Sequence, residues 1–340
     1  MTDRVSWPPR GMLFGVAAAL LLAAAPLFLA PYATTTLTRM LVFGLLAASL
    51  ALLVGVTGLP SLGHAAYFGV GAYAAGWFAK NISAGAPLSL LVAAAAGGLV
   101  AAATGWVAVR ARGVFFLVLT LAIGEIVHQA ADRWDSVTGG SNGLYGIPAT
   151  MFGGEPISNV GLLYWYVLLA FGIGLAVLWL VARSPYGTAL RGIHDNEPRM
   201  RALGYPTSLY KYAVFVIAGT IAGLAGGLLA TQQRLVTPED LGFTTAALAL
   251  LAVIIGGAGS LWGACLGAAL VILVRDTLGP TLDGHGPLVL GLLFILVVYL
   301  MPCGIAGIRL RRGQRPAAGD SGGTGKPAPE PVSVGGGASR

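Results

Sequence analysis

Apolar runs of roughly membrane-crossing length recur along this chain, and polar residues gather between them. Ten runs read as spans: 11–30, 37–57, 62–79, 88–109, 113–132, 160–182, 212–230, 243–256, 261–275 and 287–306. A helix needs about 20 apolar residues to cross the hydrocarbon core. The eighth and ninth runs are shorter and meet at Gly256-Gly257-Ala258-Gly259-Ser260. They read either as a re-entrant pair or as tilted, broken helices. The second and third runs meet at a comparable break, Gly58-Leu59-Pro60-Ser61-Leu62-Gly63-His64. The pattern predicts an all-α, polytopic membrane protein of about ten spans. Its body covers 11–308, between a short N-terminal segment, 1–10, and a tail, 309–340. The tail is rich in Gly, Pro, Ala and Ser and lacks the apolar surface to fold alone.

One polar interruption differs from the rest. Residues 183–211 carry Arg183, Arg191, Arg199, Arg201 and Lys211, with Asp195 and Glu197. Such a loop between spans reads as a cytoplasmic docking element. A short helix is expected over 194–205, about 18 Å long. Asp195 and Glu197 favour its N-terminal dipole, Gly204 suits its C-terminal cap, and Pro206 stops it. Arg199 and Arg201 then offer charge to a partner. The plainer alternative is a solvated loop whose charges only fix topology.

Topology follows from the basic residues, because cytoplasmic loops carry the excess of Lys and Arg. With the N-terminus inside and ten alternating spans, fifteen of the twenty Lys and Arg residues lie inside, and Arg39, Lys80, Arg133, Arg234 and Arg275 lie at the outer side. Both termini are then cytoplasmic, as is 183–211. The loop 133–159 is external. It holds Trp134, Gly139, Gly140 and Asn142 in a turn-rich stretch, where Gly and Asn tolerate positive φ. It is either a contact surface for an external partner or a plain connector.

Composition agrees. The chain is 56% hydrophobic and 10% charged, against about 25% charged in soluble domains. The net charge of +7 comes from basic residues scattered singly between apolar runs. That fits a lipid bilayer and positive-inside topology rather than nucleic acid. Arg4 and Arg10 before 11–30 resemble a secretory leader, but a leader's apolar region is about 7–15 residues, so a first span is expected. Cys265 and Cys303 form no CxxC pair or metal-ligand spacing.

No phosphate loop, HExxH, nucleophile elbow or paired-carboxylate site is present, so neither ATP hydrolysis nor a cofactor is expected in this chain. Glu125 is the ionisable residue deepest in a run, about 18 Å in from Gly113. A charge at a helix centre costs about 2.5–3.5 kcal/mol. His128, three residues on, shares its face. The pair either lines a translocation path or sits where the helix reaches the interface. The breaks at Pro60 and at Gly256, Gly257 and Gly259 expose backbone, which membranes tolerate only where protein or a water-filled cavity satisfies it. His64, after the first break, is either a substrate contact or a packed histidine. Gly69-Val70-Gly71 reads as helix packing, since small residues let membrane helices approach closely.

Three blocks carry a family likeness. The first runs from Gly58 to Tyr73. The second runs from Arg112 through Gly124-Glu125-Ile126 to Thr138-Gly139-Gly140-Ser141-Asn142-Gly143 and Gly146-Ile147-Pro148. The third runs from Ser184-Pro185-Tyr186-Gly187 through Asn196-Glu197 and Arg201-Ala202-Leu203-Gly204 to Lys211, with Ala222–Gly227 and Gly256–Gly263 behind it. Together they resemble the permease of bacterial branched-chain amino-acid ABC importers, the M-type of its two unlike permeases. The resemblance implies an inner-membrane transport subunit without catalytic chemistry. It implies a second, unlike permease, two cytoplasmic ATPases and an extracytoplasmic solute-binding protein. Asp195, Glu197, Arg199, Arg201, Ala202 and Gly204 would couple to an ATPase. Pro198 departs from the family's small residue after Glu. Relatives carrying urea or short amides are not separated by these motifs. An ion-coupled carrier would show more intramembrane carboxylates than Glu125.

Overall fold

The computed structural model describes residues 21–111, 113–152, 155–157, 159–281, 291, 292 and 299. The segments 1–10 and 309–340, and nearly all of the run 287–306, lie outside the described residues. The first run is described from residue 21, and 21–28 is helical (α1). The main helices follow the apolar pattern: α2 (Pro31–Ala51), α3 (His64–Asn81), α4 (Leu88–Ala108), α5 (Val114–Arg133), α7 (Val160–Arg183), α10 (Thr207–Gln233), α11 (Phe243–Gly256) and α12 (Leu261–Thr281). Short helices α6 (Asp135–Thr138), α8 (Pro185–Asp195) and α9 (Glu197–Ala202) occupy two of the loops. The described strands are two-residue pieces: β1 (Leu144–Tyr145) pairs antiparallel with β4 (Leu235–Val236), and β2 (Met151–Phe152) with β3 (Glu155–Pro156).

Among the described residues, five segments are long and apolar enough to cross a membrane: Pro31–Val56, α4, α5, α7 and α10. The apolar α11 has only 14 residues. The fold is all-α and multi-pass.

The centre of the bundle is α2 and α10, each with 72% of its most apolar stretch buried, against 22% for α5. Helices pack this closely because glycines face one another. A Cβ on Gly71 would overlap the Gly223 carbonyl, and one on Gly97 would stand 2.6 Å from the Gly223 Cα. Both predicted breaks are real. α2 widens into a π turn, Leu52–Val56, and Gly58 then reverses the chain at φ +68°. α11 and α12 are joined at Gly257, φ +96°, and close on each other so tightly that a Cβ on Gly256 would overlap the Gly263 carbonyl.

Candidate functional site

The polar loop is built from two helices. Ser184 caps α8, its hydroxyl oxygen accepting from the Gly187 N–H at 3.2 Å, and Pro185 takes the first helical position, where its missing N–H costs nothing. Leu190 and Ile193 are its buried face. Burial pushes the Tyr186 hydroxyl up to about 12; it donates to the Tyr210 carbonyl at 2.6 Å. The single helix expected over 194–205 is absent. Asn196 leaves helical geometry and accepts from the Arg199 N–H at 3.0 Å, starting α9 afresh. Pro198 is the reason: proline is tolerated only in a helix's first turn, so a helix reaching back to His194 cannot contain it.

α9 ends where Gly204 was expected to end it. Gly204 sits at φ +88°. Its N–H donates to the Arg201 carbonyl at 2.9 Å, and the Tyr205 N–H to Met200 at 3.1 Å. This is the paired cap that satisfies the last carbonyls of a helix. Glu197 turns inward: Oε1 accepts from Arg201 Nη2 at 2.7 Å, Lys211 Nζ at 3.0 Å and Thr207 Oγ1 at 3.2 Å. It therefore staples α9 to the start of α10. Asp195, Arg199, Arg201, Ala202, Leu203, Gly204 and Tyr205 are exposed, beside a groove of about 650 Å³ that Trp106, Arg110 and Leu209 also line.

One residue that sequence reasoning missed links this loop to the first break. A Cβ on Gly58 would lie 2.7 Å from His194 Cδ2, so the imidazole at the end of α8 rests on the reversal point. The π turn beyond touches the second break, since a Cβ on Gly55 would overlap the Ala258 carbonyl. No local motif announces these contacts; only the need for a positive φ at Gly58 hints that its surroundings are tight.

Pro60 is half-buried, and the break behind it is held by α5. The Leu62 N–H donates to Thr120 Oγ1 at 3.3 Å, and a Cβ on Gly63 would overlap the Thr120 carbonyl. His64 is fully buried, with Nε2 2.8 Å from Ser49 Oγ of α2. It fastens the break to α2. Gly256 and Gly257 are buried, whereas Gly259 is exposed.

Glu125 and His128 do come together, Oε1 and Nδ1 being 3.5 Å apart, and both line a cavity of about 640 Å³. Its other walls are Arg39 and Phe43 of α2, the turn Thr237–Asp240, Phe243–Thr245 opening α11, and Arg275 of α12. Arg39 Nη1 is tied to Asp276 Oδ2 at 2.9 Å. Asp240 Oδ2 accepts from the Thr237 N–H at 2.9 Å and from its hydroxyl at 3.2 Å. Burial raises the Asp240 carboxyl above its ordinary range, and Thr237 and the Arg275 charge oppose that rise.

The loop after α5 is tightly made. Thr138 Oγ1 donates to the Ala131 carbonyl at 2.6 Å. Gly139 and Gly140 take positive φ, and a Cβ on Gly140 would overlap the Asp135 carboxylate. The two glycines shape the turn, with Gly140 buried, while Trp134 and Asn142 stand exposed. Pairing of β1 with β4 ties this loop to the segment between α10 and α11.

A multi-pass helical bundle with two helix breaks in contact, a polar cavity and a capped charged loop has the build expected of a membrane permease. Residues 32–300 match the family described as the permease component of the branched-chain amino acid transport system, and the chain belongs to that family. It is 30% identical over 320 residues, 86% of this chain and 74% of the relative, to the high-affinity branched-chain amino acid transport permease LivM of Salmonella typhimurium. The match to LivM of Escherichia coli has the same identity and coverage. Identity to LivH of Salmonella typhimurium is 28%, over 78% of this chain and 91% of LivH. No solved structure matches the chain. The relatives are transport subunits, and so is this chain.

Proposed function

We propose that this chain is the M-type permease subunit of an ATP-driven importer of branched-chain amino acids in the bacterial inner membrane. The observation that carries this is the match to LivM along 86% of the chain. The partners are a second, unlike permease, two cytoplasmic ATPases and an extracytoplasmic solute-binding protein. The exposed face of α9, ending in the Gly204 cap, is the surface offered to an ATPase. Trp134 and Asn142 are exposed toward the binding protein. Uptake of labelled leucine, isoleucine and valine by vesicles holding the whole complex tests the reading. Competition by the three and not by urea or short amides is the expected result; the reverse order would reassign the substrate.

Topology offers a second check. A reporter inserted after Arg183 should read cytoplasmic, and one at Ser141 external. An external 183–211 loop would remove the coupling surface.

His194 provides a third. Its contact with Gly58 joins the loop to the break, so His194→Ala should leave the ATPase bound yet lower uptake per ATP hydrolysed several-fold. Its exposure means little packing is lost. Unchanged coupling in His194→Ala would show the contact to be passive.

A further inference from the structure

The groove beside α9 lies where two spanning helices end. Its volume, about 650 Å³, falls within the usual range for small-molecule sites, about 300–1,000 Å³. Its walls are the end of α4, the stretch between α9 and α10, and the first turns of α10. Both α4 and α10 are of spanning length, so this end lies at a membrane surface. Trp106, Tyr205 and Tyr212 line it, and such aromatic residues gather where the bilayer meets water. Tyr212 sets the position of Trp106: the two rings meet edge to face at 6.0 Å, and the Tyr212 hydroxyl donates to the Ala102 carbonyl at 3.1 Å. The exposed Arg110 guanidinium stands 4.9 Å from the Trp106 ring centroid. Arg201 closes the other side. It is fixed by Thr207 Oγ1 at 3.0 Å and Glu197 Oε1 at 2.7 Å, with its side chain still half-exposed. Two guanidinium groups thus rim a groove that no carboxylate lines among the described residues. α10 opens there without a side-chain cap, and the first N–H groups of a helix favour an anion.

An apolar stripe extends the groove into the bilayer. Leu91, Ala95, Leu99, Ala103 and Trp106 lie three or four residues apart on α4, so they share one face, and all five are exposed. The stripe runs about 22 Å, more than half of a hydrocarbon core about 30 Å thick, and it ends at the cationic rim. We infer that the groove is a binding site for one anionic phospholipid. The phosphate seats between Arg110 and Arg201, and an acyl chain lies along the α4 stripe. Basic pockets between spanning helices are suited to such headgroups. A zwitterionic headgroup brings an ammonium as well, which finds two guanidinium groups and no carboxylate to meet. A free phosphate leaves the stripe unused. The lipid phosphate also joins the end of α4 to α9, adding a tie beside the Glu197–Lys211 pair. Neither the imported solute nor the orientation of the chain enters this assignment.

The test uses the complete complex in phosphatidylcholine vesicles, doped with a phosphatidylglycerol that carries a diazirine in one acyl chain. After irradiation, labelled peptides should come from residues 91–106. Excess unlabelled phosphatidylglycerol should suppress the label, and inorganic phosphate should leave it unchanged. Arg110→Gln should cut the label about five-fold, one basic residue's share of binding at an anionic surface, and Arg110→Lys should retain most of it. A phosphatidylcholine probe with the same diazirine should fall short by a similar factor. Should Arg110→Gln fail to accumulate, Ser208→Glu is read in its place. Ser208 is an exposed residue of the groove, in the first turn of α10, where an acidic side chain favours the helix while repelling a phosphate. Equal labelling by the two probes would reduce the stripe to ordinary lipid contact, and no label at 91–106 in the intact complex would mean that a protein partner covers it. Suppression by inorganic phosphate would make the occupant a free anion. Each of these results, or wild-type labelling in the assembled variant, overturns the lipid site.

Discussion

Replacing Glu197 with lysine should release the ATPase from the membrane complex and reduce ATP-driven uptake about ten-fold or more, while the chain still inserts. The reason is local. Lys211 is 5% exposed in its side chain and Glu197 17%, so the substitution leaves one buried ammonium facing another. Removing one partner of a buried ion pair costs about 3–5 kcal/mol. The Arg201 contribution is smaller, because that side chain is 47% exposed and exposed pairs contribute about 0–1 kcal/mol. α9 has six residues and cannot hold itself helical in water. Once its staple to α10 is lost, Arg199, Ala202 and the Gly204 cap no longer present one surface. Glu197→Gln separates charge from shape. It keeps an oxygen for Arg201, Lys211 and Thr207, so it should retain more coupling than Glu197→Lys. ATPase recovery with the purified complex, and uptake per ATP, are the measurements. Full ATPase retention and normal uptake in Glu197→Lys would mean that 183–211 only fixes topology.

The same loop shows what the amino-acid sequence could and could not disclose. Its charge, its Gly204 cap and its stop at Pro206 are local properties, and they were legible. The inward turn of Glu197 was not, because Lys211 lies fourteen positions away on another helix. Among the described residues, helix positions were legible where the run was apolar. They ran short where polar side chains find hydrogen-bond partners in the protein. α2 begins at Pro31, not 37, because Thr34, Thr35, Thr36 and Thr38 donate to carbonyls four residues back and mask their own hydroxyls. α10 begins at Thr207, whose hydroxyl meets Glu197. The breaks at Pro60 and Gly257 were readable as breaks. Their contact was not, since Gly55 and Ala258 belong to distant segments. The cavity beside Glu125 is the extreme case. Glu125 and His128 drew attention as a pair three residues apart, but Arg275, Glu239 and Arg39 come from other elements and share no motif with them.

Small residues are the clearest case of sequence and packing in agreement, and Gly226→Leu should have the largest effect on the fold. A Cβ at Gly226 would already overlap the Phe68 carbonyl and stand 2.8 Å from the Ala72 nitrogen. Both are backbone atoms of α3, so no side-chain rotation relieves the clash and the whole helix must move. α3 is in turn locked to α10 through Gly71 and Gly223, and Gly223 lies against Gly97 of α4. A displacement at Gly226 therefore opens contacts along three helices. Lipid tails are as apolar as the side chains, so close packing carries the association of membrane helices, and there is no hydrophobic gain to offset its loss. Overpacking a core costs about 1–3 kcal/mol where neighbours can adjust; here they cannot, and accumulation of the folded subunit should fall to about a tenth of wild type or less. Gly172→Leu is the matched control, because an added Cβ at Gly172 meets nothing within 4 Å. Its level in membranes should equal wild type. The decisive measurement is the amount of each variant recovered in detergent with its thermal stability. Equal recovery of Gly226→Leu and Gly172→Leu would show that α3 and α10 tolerate separation, and that the close glycine contact between them does not hold the bundle together.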